Sequence, residues 1–379
     1  MLRTRYLKKK LDEYDRLMGD LFADCEERSV QSFDGTRIAY RMVGEGEPAL
    51  ILSPGVFTTY MFFHCMKDYF KPRHRMIFWD YRGHPDSEVP DDLSTINMDS
   101  HAKDLAAVMD DAGVKQAVHI GFSMGVMTIL ELYRQFPEKV TGLIAINGPY
   151  AEGFGGFSES MKVQGAICGL LKFLSGHTYL VEWFRPVLVL PINIPIAKRV
   201  ELNPTMVAEE EMTLYFEYAA KMDWHAGFQA LFAMGVYDGT EILDGVKVPT
   251  LLICGSKDTW TPRRIADEMH RRIKGSEYTT IPGGSHATPA ENPQMINFRI
   301  DLWLRTYFYE IMEEYESTMA AARAKPSRKK AKKPVAPAAV KKSGGKAAGK
   351  PGKKAAAKKR GRPAGKKARK PAKKTAAKA

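Results

Sequence analysis

Along most of this chain, short unbroken apolar runs alternate with stretches in which apolar residues return every three or four positions. Ala49-Leu-Ile-Leu-Ser53, Met76-Ile-Phe-Trp-Asp80, Gln116 to Gly121, Val140 to Asn147, Val248 to Gly255 and Tyr278 to Ile281 are of the first kind. Runs of that length read as strands buried on both faces. Met98 to Ala112, Met124 to Gln135, Pro262 to Ile273 and the residues from Pro293 onward have the second spacing and read as helices. Strand and helix in alternation predict a mostly parallel sheet with helices on both sides. Ahead of this region, Arg28 to Phe33 and Thr36 to Val43 alternate apolar with polar around Asp34-Gly35, a hairpin signature. Earlier still, Leu7, Leu11, Tyr14, Leu17, Met18 and Leu21 predict an amphipathic helix that docks on the body, with a dimer or membrane-surface contact as the alternative.

Between Gly148 and Val246 the alternation stops. Helical and apolar patterns fill this interval, but Lys172, His177, Glu182 and Arg185 interrupt it and Pro186, Pro191 and Pro195 break it. A membrane-spanning run of about 20 clean apolar residues is absent, and an inserted helical cap is the better reading. The last helix is expected to continue through Glu313 to Arg323, until Pro326 stops it. The expected organisation is an N-terminal helix over 1–27, a first core part over 28–148, a cap over 149–246, a second core part over 247–322 and a basic tail over 323–379.

Charge changes this picture at the end of the chain. Of the 57 Lys and Arg, 24 lie between Arg323 and Ala379, where there is no Asp or Glu, leaving 33 bases against all 44 acids in the body. A tail of Lys, Ala, Pro and Gly lacks the apolar surface that would offset the entropy of ordering it, and disorder in the free state is expected. Cys25, Cys65, Cys168 and Cys254 have no pairing or metal-like spacing, and Met1 to Lys10 is not followed by the apolar core of a signal peptide. Both features point to a cytoplasmic protein with reduced thiols.

Candidate chemistry gathers at strand ends. Gly121-Phe-Ser123-Met-Gly125 joins an apolar strand to a helix, the context in which a steep turn lifts a serine hydroxyl above a sheet edge. A serine hydroxyl needs a base, and His286, in the loop after the last strand, is the best placed of nine histidines. The base needs a carboxylate to orient it, and Asp258 follows the penultimate strand at the same edge. The strand before that ends in Asn147-Gly148-Pro149, without a carboxylate, and Asp244 precedes its strand. His119, inside the serine's strand, reads as a packed core residue; His64 and His84 are candidates for substrate contacts. Backbone amides of Met124 and Val56 are the candidate donors to a developing oxyanion, with Phe57 less favoured than Val56.

Gly121 to Gly125, Asp80-Tyr-Arg-Gly-His-Pro-Asp-Ser87, Val248 to Asp258, Gly284-Ser-His286 and Glu291-Asn-Pro293 together resemble the α/β-hydrolase superfamily, in its esterase, lipase and haloperoxidase-like branch. The resemblance covers about residues 28 to 310. It implies an α/β fold with a mostly parallel eight-stranded sheet, helices on both faces and an inserted cap. It also implies Ser123 as nucleophile, His286 as base, Asp258 as acid and Val56 and Met124 as oxyanion donors, with no metal or organic cofactor required. The chain departs from the family at Pro54-Gly55, where His-Gly is usual, and at Pro85, where Gly is usual. A serine at position 123 disfavours relatives with an aspartate nucleophile. The apolar cap suggests a small hydrophobic ester-like substrate, with a medium or long acyl chain or another hydrophobic ester; perhydrolase and carbon–carbon bond hydrolase chemistry on the same triad are alternatives.

The tail resembles the carboxyl tails of linker histones and bacterial histone-like proteins by composition. Lys359-Arg360-Gly361-Arg362-Pro363 matches the core of an AT-hook, whose glycine lets the backbone sit deep in a narrow minor groove. DNA is thus an expected partner, with nucleoid association as a consequence. A different polyanion or a solubilising role are alternatives, and so is a DNA-binding protein whose hydrolase body serves as a scaffold.

Overall fold

A computed structural model describes residues 2–151, 153–156, 160–193, 195 and 209–309. The eight strands are β1 (Glu26–Gln31), β2 (Arg37–Val43), β3 (Leu50–Ser53), β4 (Met76–Trp79), β5 (Ala117–Phe122), β6 (Val140–Ile146), β7 (Thr250–Gly255) and β8 (Glu277–Ile281). They form one sheet in the order β1-β2-β4-β3-β5-β6-β7-β8. The β1–β2 and β2–β4 pairs are antiparallel and the remaining pairs are parallel.

The apolar runs occupy the middle of this sheet because both faces there are covered. Every residue of β3, β4, β5 and β7 is buried. Alternate side chains of one strand enter different cores, as the period of two requires. Ile51, Ile77 and Trp79 join Leu105, Met109, Met127 and Leu130 on one side, from the helices Met98–Asp111 and Met124–Gln135. Leu50, Leu52, Met76 and Phe78 join Ile296, Ile300 and Trp303 on the other, from the helix Pro293–Leu304. The helix Leu2–Leu21 docks on this second core through Tyr14 and Met18, the first of the alternatives its spacing allowed.

Sequence periodicity did not anticipate the helix His64–Phe70. It carries Lys67 within its buried face, and the Lys67 Nζ is satisfied by donating to Asp24 Oδ1 at 2.6 Å and to the Leu21 carbonyl at 2.7 Å. Between β6 and β7 lie the helices Met161–Gly176, Glu209–Lys221 and Trp224–Val236. Among the described residues, no helix is long and apolar enough to cross a membrane. The expected helical continuation to Arg323 and the tail, with Lys359, Arg360, Gly361, Arg362 and Pro363, lie outside the described residues.

Candidate active site

Ser123 stands between β5 and the helix Met124–Gln135 with φ 53 and ψ −120, a conformation that a non-glycine residue adopts only under constraint. The constraint is the approach of strand to helix. A Cβ at Gly121 would lie 2.5 Å from the Gly125 carbonyl oxygen, and a Cβ at Gly125 would lie 2.1 Å from that of Ser53. Only glycine fits at either flank. The Ser123 N–H donates to the Ile146 carbonyl at 3.1 Å and the Val126 N–H to the Ser123 carbonyl at 3.0 Å, which fixes the turn from both sides.

The parallel order of β5, β6, β7 and β8 brings their C-terminal ends to one rim, and with them the three residues singled out in the sequence. His286 Nε2 is 3.0 Å from Ser123 Oγ, and His286 Nδ1 is 2.9 Å from Asp258 Oδ2. The Asp258 side chain is fully buried. Its Oδ1 accepts from the Trp260 and Thr261 amides, both at 2.8 Å, and its Oδ2 accepts from the Thr261 hydroxyl at 2.6 Å. A carboxylate with this many donors has its negative charge stabilised and its orientation fixed. The imidazole packs between Phe122, at 5.3 Å between ring centroids, and Trp260, at 5.9 Å with an interplanar angle of 25°.

Asn147, which drew attention in the sequence only for not being an acid, holds the histidine loop. Its amide nitrogen is 2.8 Å from each of the Ser285 carbonyl, the His286 carbonyl and the Thr288 hydroxyl. Its Oδ1 accepts from the Gly255 N–H at 2.8 Å. Behind the same loop, Glu291 accepts from the Ser285 N–H at 2.6 Å and from the Ser285 hydroxyl at 2.5 Å. Thr261 and Trp260 were likewise missed, although Asp258 followed three residues later by a threonine is a local signal for a side chain bonding to the backbone just ahead of it.

A cavity of about 170 Å³ opens beside Ser123 and His286. Val56, Phe57, Phe62, Phe122, Tyr215 and Trp260 contribute to its walls, and the helices between β6 and β7 add Met212, Leu231 and Met234. Among the described residues, none of its lining side chains other than His286 is ionisable to a full charge near neutral pH. Of the two candidate amides, Val56 belongs to a cavity-lining residue, and Met124 is the buried first residue of the helix after the serine. The loop that carries Val56 runs close by: a Cβ at Gly55 would come within 3.0 Å of Ser123 Cβ.

The two candidate contact histidines, His64 and His84, lie away from the cavity. His64 Nδ1 lies 2.9 Å from the Met61 carbonyl instead. His84 is buried, with its ring 5.2 Å from that of Tyr81, and burial pushes its pKa down to about 3. His119 is fully buried in β5 as expected, its pKa pushed down by burial to about 4. Asp80, at the end of β4, accepts from the Tyr218 hydroxyl at 3.0 Å and the Asp86 N–H at 3.0 Å. Burial, reinforced by the negative charge of Asp86, pushes its pKa up to about 8.

Comparison with known proteins agrees with this fold. Residues 48–163 match a family described as the alpha/beta hydrolase fold. The chain is 26% identical over 258 residues to the protein named "Putative carbamate hydrolase RutD" of Azorhizobium caulinodans, covering 68% of this chain and 91% of that one. It is 26% identical over 264 residues to the serine hydrolase BPHL of Mus musculus, covering 67% of this chain and 78% of the relative. The solved esterase EaEST of Exiguobacterium antarcticum superposes with a TM-score of 0.62 at 20% identity, over 73% of this chain and 98% of its own. A sheet of this order with its chemistry at one rim, in a chain with these relatives, is that of a hydrolase with the alpha/beta hydrolase fold.

Proposed function

We propose that the protein hydrolyses a small hydrophobic carboxylic ester through a Ser123, His286, Asp258 triad. The observation that carries this reading is one imidazole within hydrogen-bond reach of both the Ser123 hydroxyl and the Asp258 carboxylate. His286, holding its Nδ1–H toward Asp258, takes the Ser123 proton on Nε2 as Oγ attacks the ester carbonyl. The carbonyl oxygen becomes negative, and the Val56 and Met124 amides stabilise it, Met124 with the added field of the helix N-terminus. The imidazolium then gives its proton to the leaving alkoxide, which departs as the alcohol. Water, deprotonated by the same Nε2, attacks the acyl-enzyme, and Ser123 recovers its proton as the carboxylic acid leaves. The residues 149–246 act as the cap over this chemistry, and the apolar walls favour an uncharged substrate.

The test is covalent labelling with a fluorophosphonate followed by identification of the modified residue. A single adduct on Ser123, absent in Ser123→Ala, is expected. An adduct elsewhere, or hydrolysis by Ser123→Ala within about tenfold of the parent, removes the mechanism.

A second reading concerns the tail and rests on the separation of charge, with 24 Lys and Arg and no acid after residue 322. We propose that 323–379 tether the enzyme to nucleic acid, with Lys359 to Pro363 entering A·T-rich minor grooves. Deleting 324–379 is expected to leave ester hydrolysis intact and to abolish a salt-sensitive gel shift of duplex DNA. A shift that survives the deletion excludes the tether.

A further inference from the structure

We infer that the cavity beside Ser123 accepts an acyl group about the size of a benzene ring, and that Phe57, seated against Gly227, sets this limit. The inference deepens the serine-hydrolase reading and rests on it. In an acyl-enzyme the acyl group stays bonded to the nucleophile while the alcohol leaves, so the space beside Oγ has to house it. That space is about 170 Å³. A dry protein cavity of about 150 Å³ takes up benzene, so a benzoyl or hexanoyl group fits here while a decanoyl chain projects into solvent.

The wall selects chemistry as well as size. Five aromatic side chains line it, Phe57, Phe62, Phe122, Tyr215 and Trp260. The Phe62 and Phe122 rings already meet edge to face, 5.9 Å apart at 72°, a relation an aryl guest can extend. A carboxylate on the acyl group would lose its hydration without gaining a cationic partner, because among the described residues no Lys or Arg lines the cavity.

Phe57 is held in an unusual position. Its φ is 55, in the left-handed region, and its ring reaches the helix Trp224–Val236 where that helix has no side chain. A Cβ at Gly227 would lie 2.5 Å from Phe57 Cζ and 3.0 Å from Cε1. The same helix contributes Leu231 and Met234 to the cavity. The ring therefore fills the gap that Gly227 leaves, and a side chain at 227 drives it into the space an acyl group would occupy. Gly227 acts through Phe57, which makes it a specificity-determining position without contact to the substrate.

The experiment uses the full chain and methyl esters, which keep the alcohol constant: acetate, hexanoate, benzoate and decanoate, followed by acid release at constant pH. The parent is expected to turn over hexanoate and benzoate with kcat/KM at least about tenfold above acetate, and decanoate no better than hexanoate. Gly227→Ala is expected to lower the benzoate-to-acetate ratio about tenfold or more, and Phe57→Leu in that background to restore it. Phe57→Leu alone, which does not depend on Gly227→Ala folding, is expected to shift the preference toward the longer chain. Decanoate as the best substrate overturns the size limit, and equal losses on all four esters in Gly227→Ala overturn the role of the Phe57–Gly227 contact. A parent without activity on any ester, or activity that persists in Ser123→Ala, marks the failure of the triad reading itself.

Discussion

The Asn147 side-chain amide donates to the His286 carbonyl oxygen at 2.8 Å, joining the end of β6 to the loop after β8 across 139 residues of chain. With its Oδ1 on the Gly255 amide, it also ties that loop to the end of β7. Three strand ends that have to agree on the position of one imidazole are thus clamped by one neutral side chain. Asn147 itself adopts φ 43, a left-handed conformation that asparagine tolerates better than most residues.

Asn147→Ala removes this clamp without touching the cavity wall. A displacement of about 1 Å in a reacting group costs about 100-fold in rate, so kcat is expected to fall about 10- to 100-fold with KM within about twofold of the parent. Steady-state kinetics on a methyl ester separate the two parameters. A rise in KM at constant kcat would place Asn147 in substrate binding instead.

Asp258→Asn keeps the shape of the carboxylate and loses its charge. All of the donors around Asp258, from Trp260, Thr261 and His286, face an oxygen in the parent. An amide nitrogen cannot accept any of them, so the asparagine either breaks two bonds to the 260–261 turn or presents its NH₂ to His286 and selects the wrong tautomer. The expected loss in kcat is about 10⁴-fold with the fold intact, measured against a circular dichroism control.

Much of this site was legible because its parts are local. Gly121 and Gly125 announce a steep turn wherever they flank a serine after a strand, and the close contacts with the Gly125 and Ser53 carbonyls are the physical form of that signal. Asp258 and His286 were legible because each lies in the loop after a strand, β7 and β8, and parallel strands deliver their ends to one rim. Asn147 closes a strand too, but its role depends on what two other loops present to it, and no spacing encodes that. Phe57 was ranked below Val56 as a backbone donor, and its side chain went unnoticed because its partner Gly227 lies 170 positions away in a helix with no clear amphipathic pattern. His84 could not be placed from the sequence because loops usually run over the surface, whereas this one is buried, with the His84 ring 6.3 Å from that of Tyr218.

Arg82 bears on stability alone. Its side chain is fully buried, as is that of Asp104, and its Nε and Nη2 donate to the two Asp104 oxygens at 2.8 and 2.6 Å. Arg82→Met leaves the Asp104 carboxylate inside the protein with, among the described residues, only the Ser32 hydroxyl, at 2.5 Å, of its present partners. Loss of one member of a buried pair costs about 3 to 5 kcal/mol, because the remaining charge is uncompensated. Urea unfolding is expected to show a midpoint lowered accordingly, while Arg82→Met/Asp104→Leu recovers most of the loss. A double variant no more stable than the single one would show that the charge left behind is not the cause.

His119 makes stability depend on acidity. In the folded chain its pKa is pushed down to about 4, and in the unfolded chain it returns to the ordinary value near 6.5. Between those values the unfolded state binds a proton that the folded state refuses, so stability falls as pH drops from 6.5 toward 4. His84, at about 3, works in the same direction, whereas Asp80, at about 8, holds its proton in the folded state and works in the opposite one. The whole-protein profile therefore mixes opposing slopes, and the difference between His119→Val and the parent isolates one of them. Any change in packing shifts that difference by a constant. Its slope below pH 6.5 is the signature, with the variant gaining about 2 to 3 kcal/mol relative to the parent between pH 7 and pH 4.5. Denaturant titrations at a series of pH values measure it directly, and parallel profiles for the two proteins would mean that His119 takes up its proton without leaving the folded state.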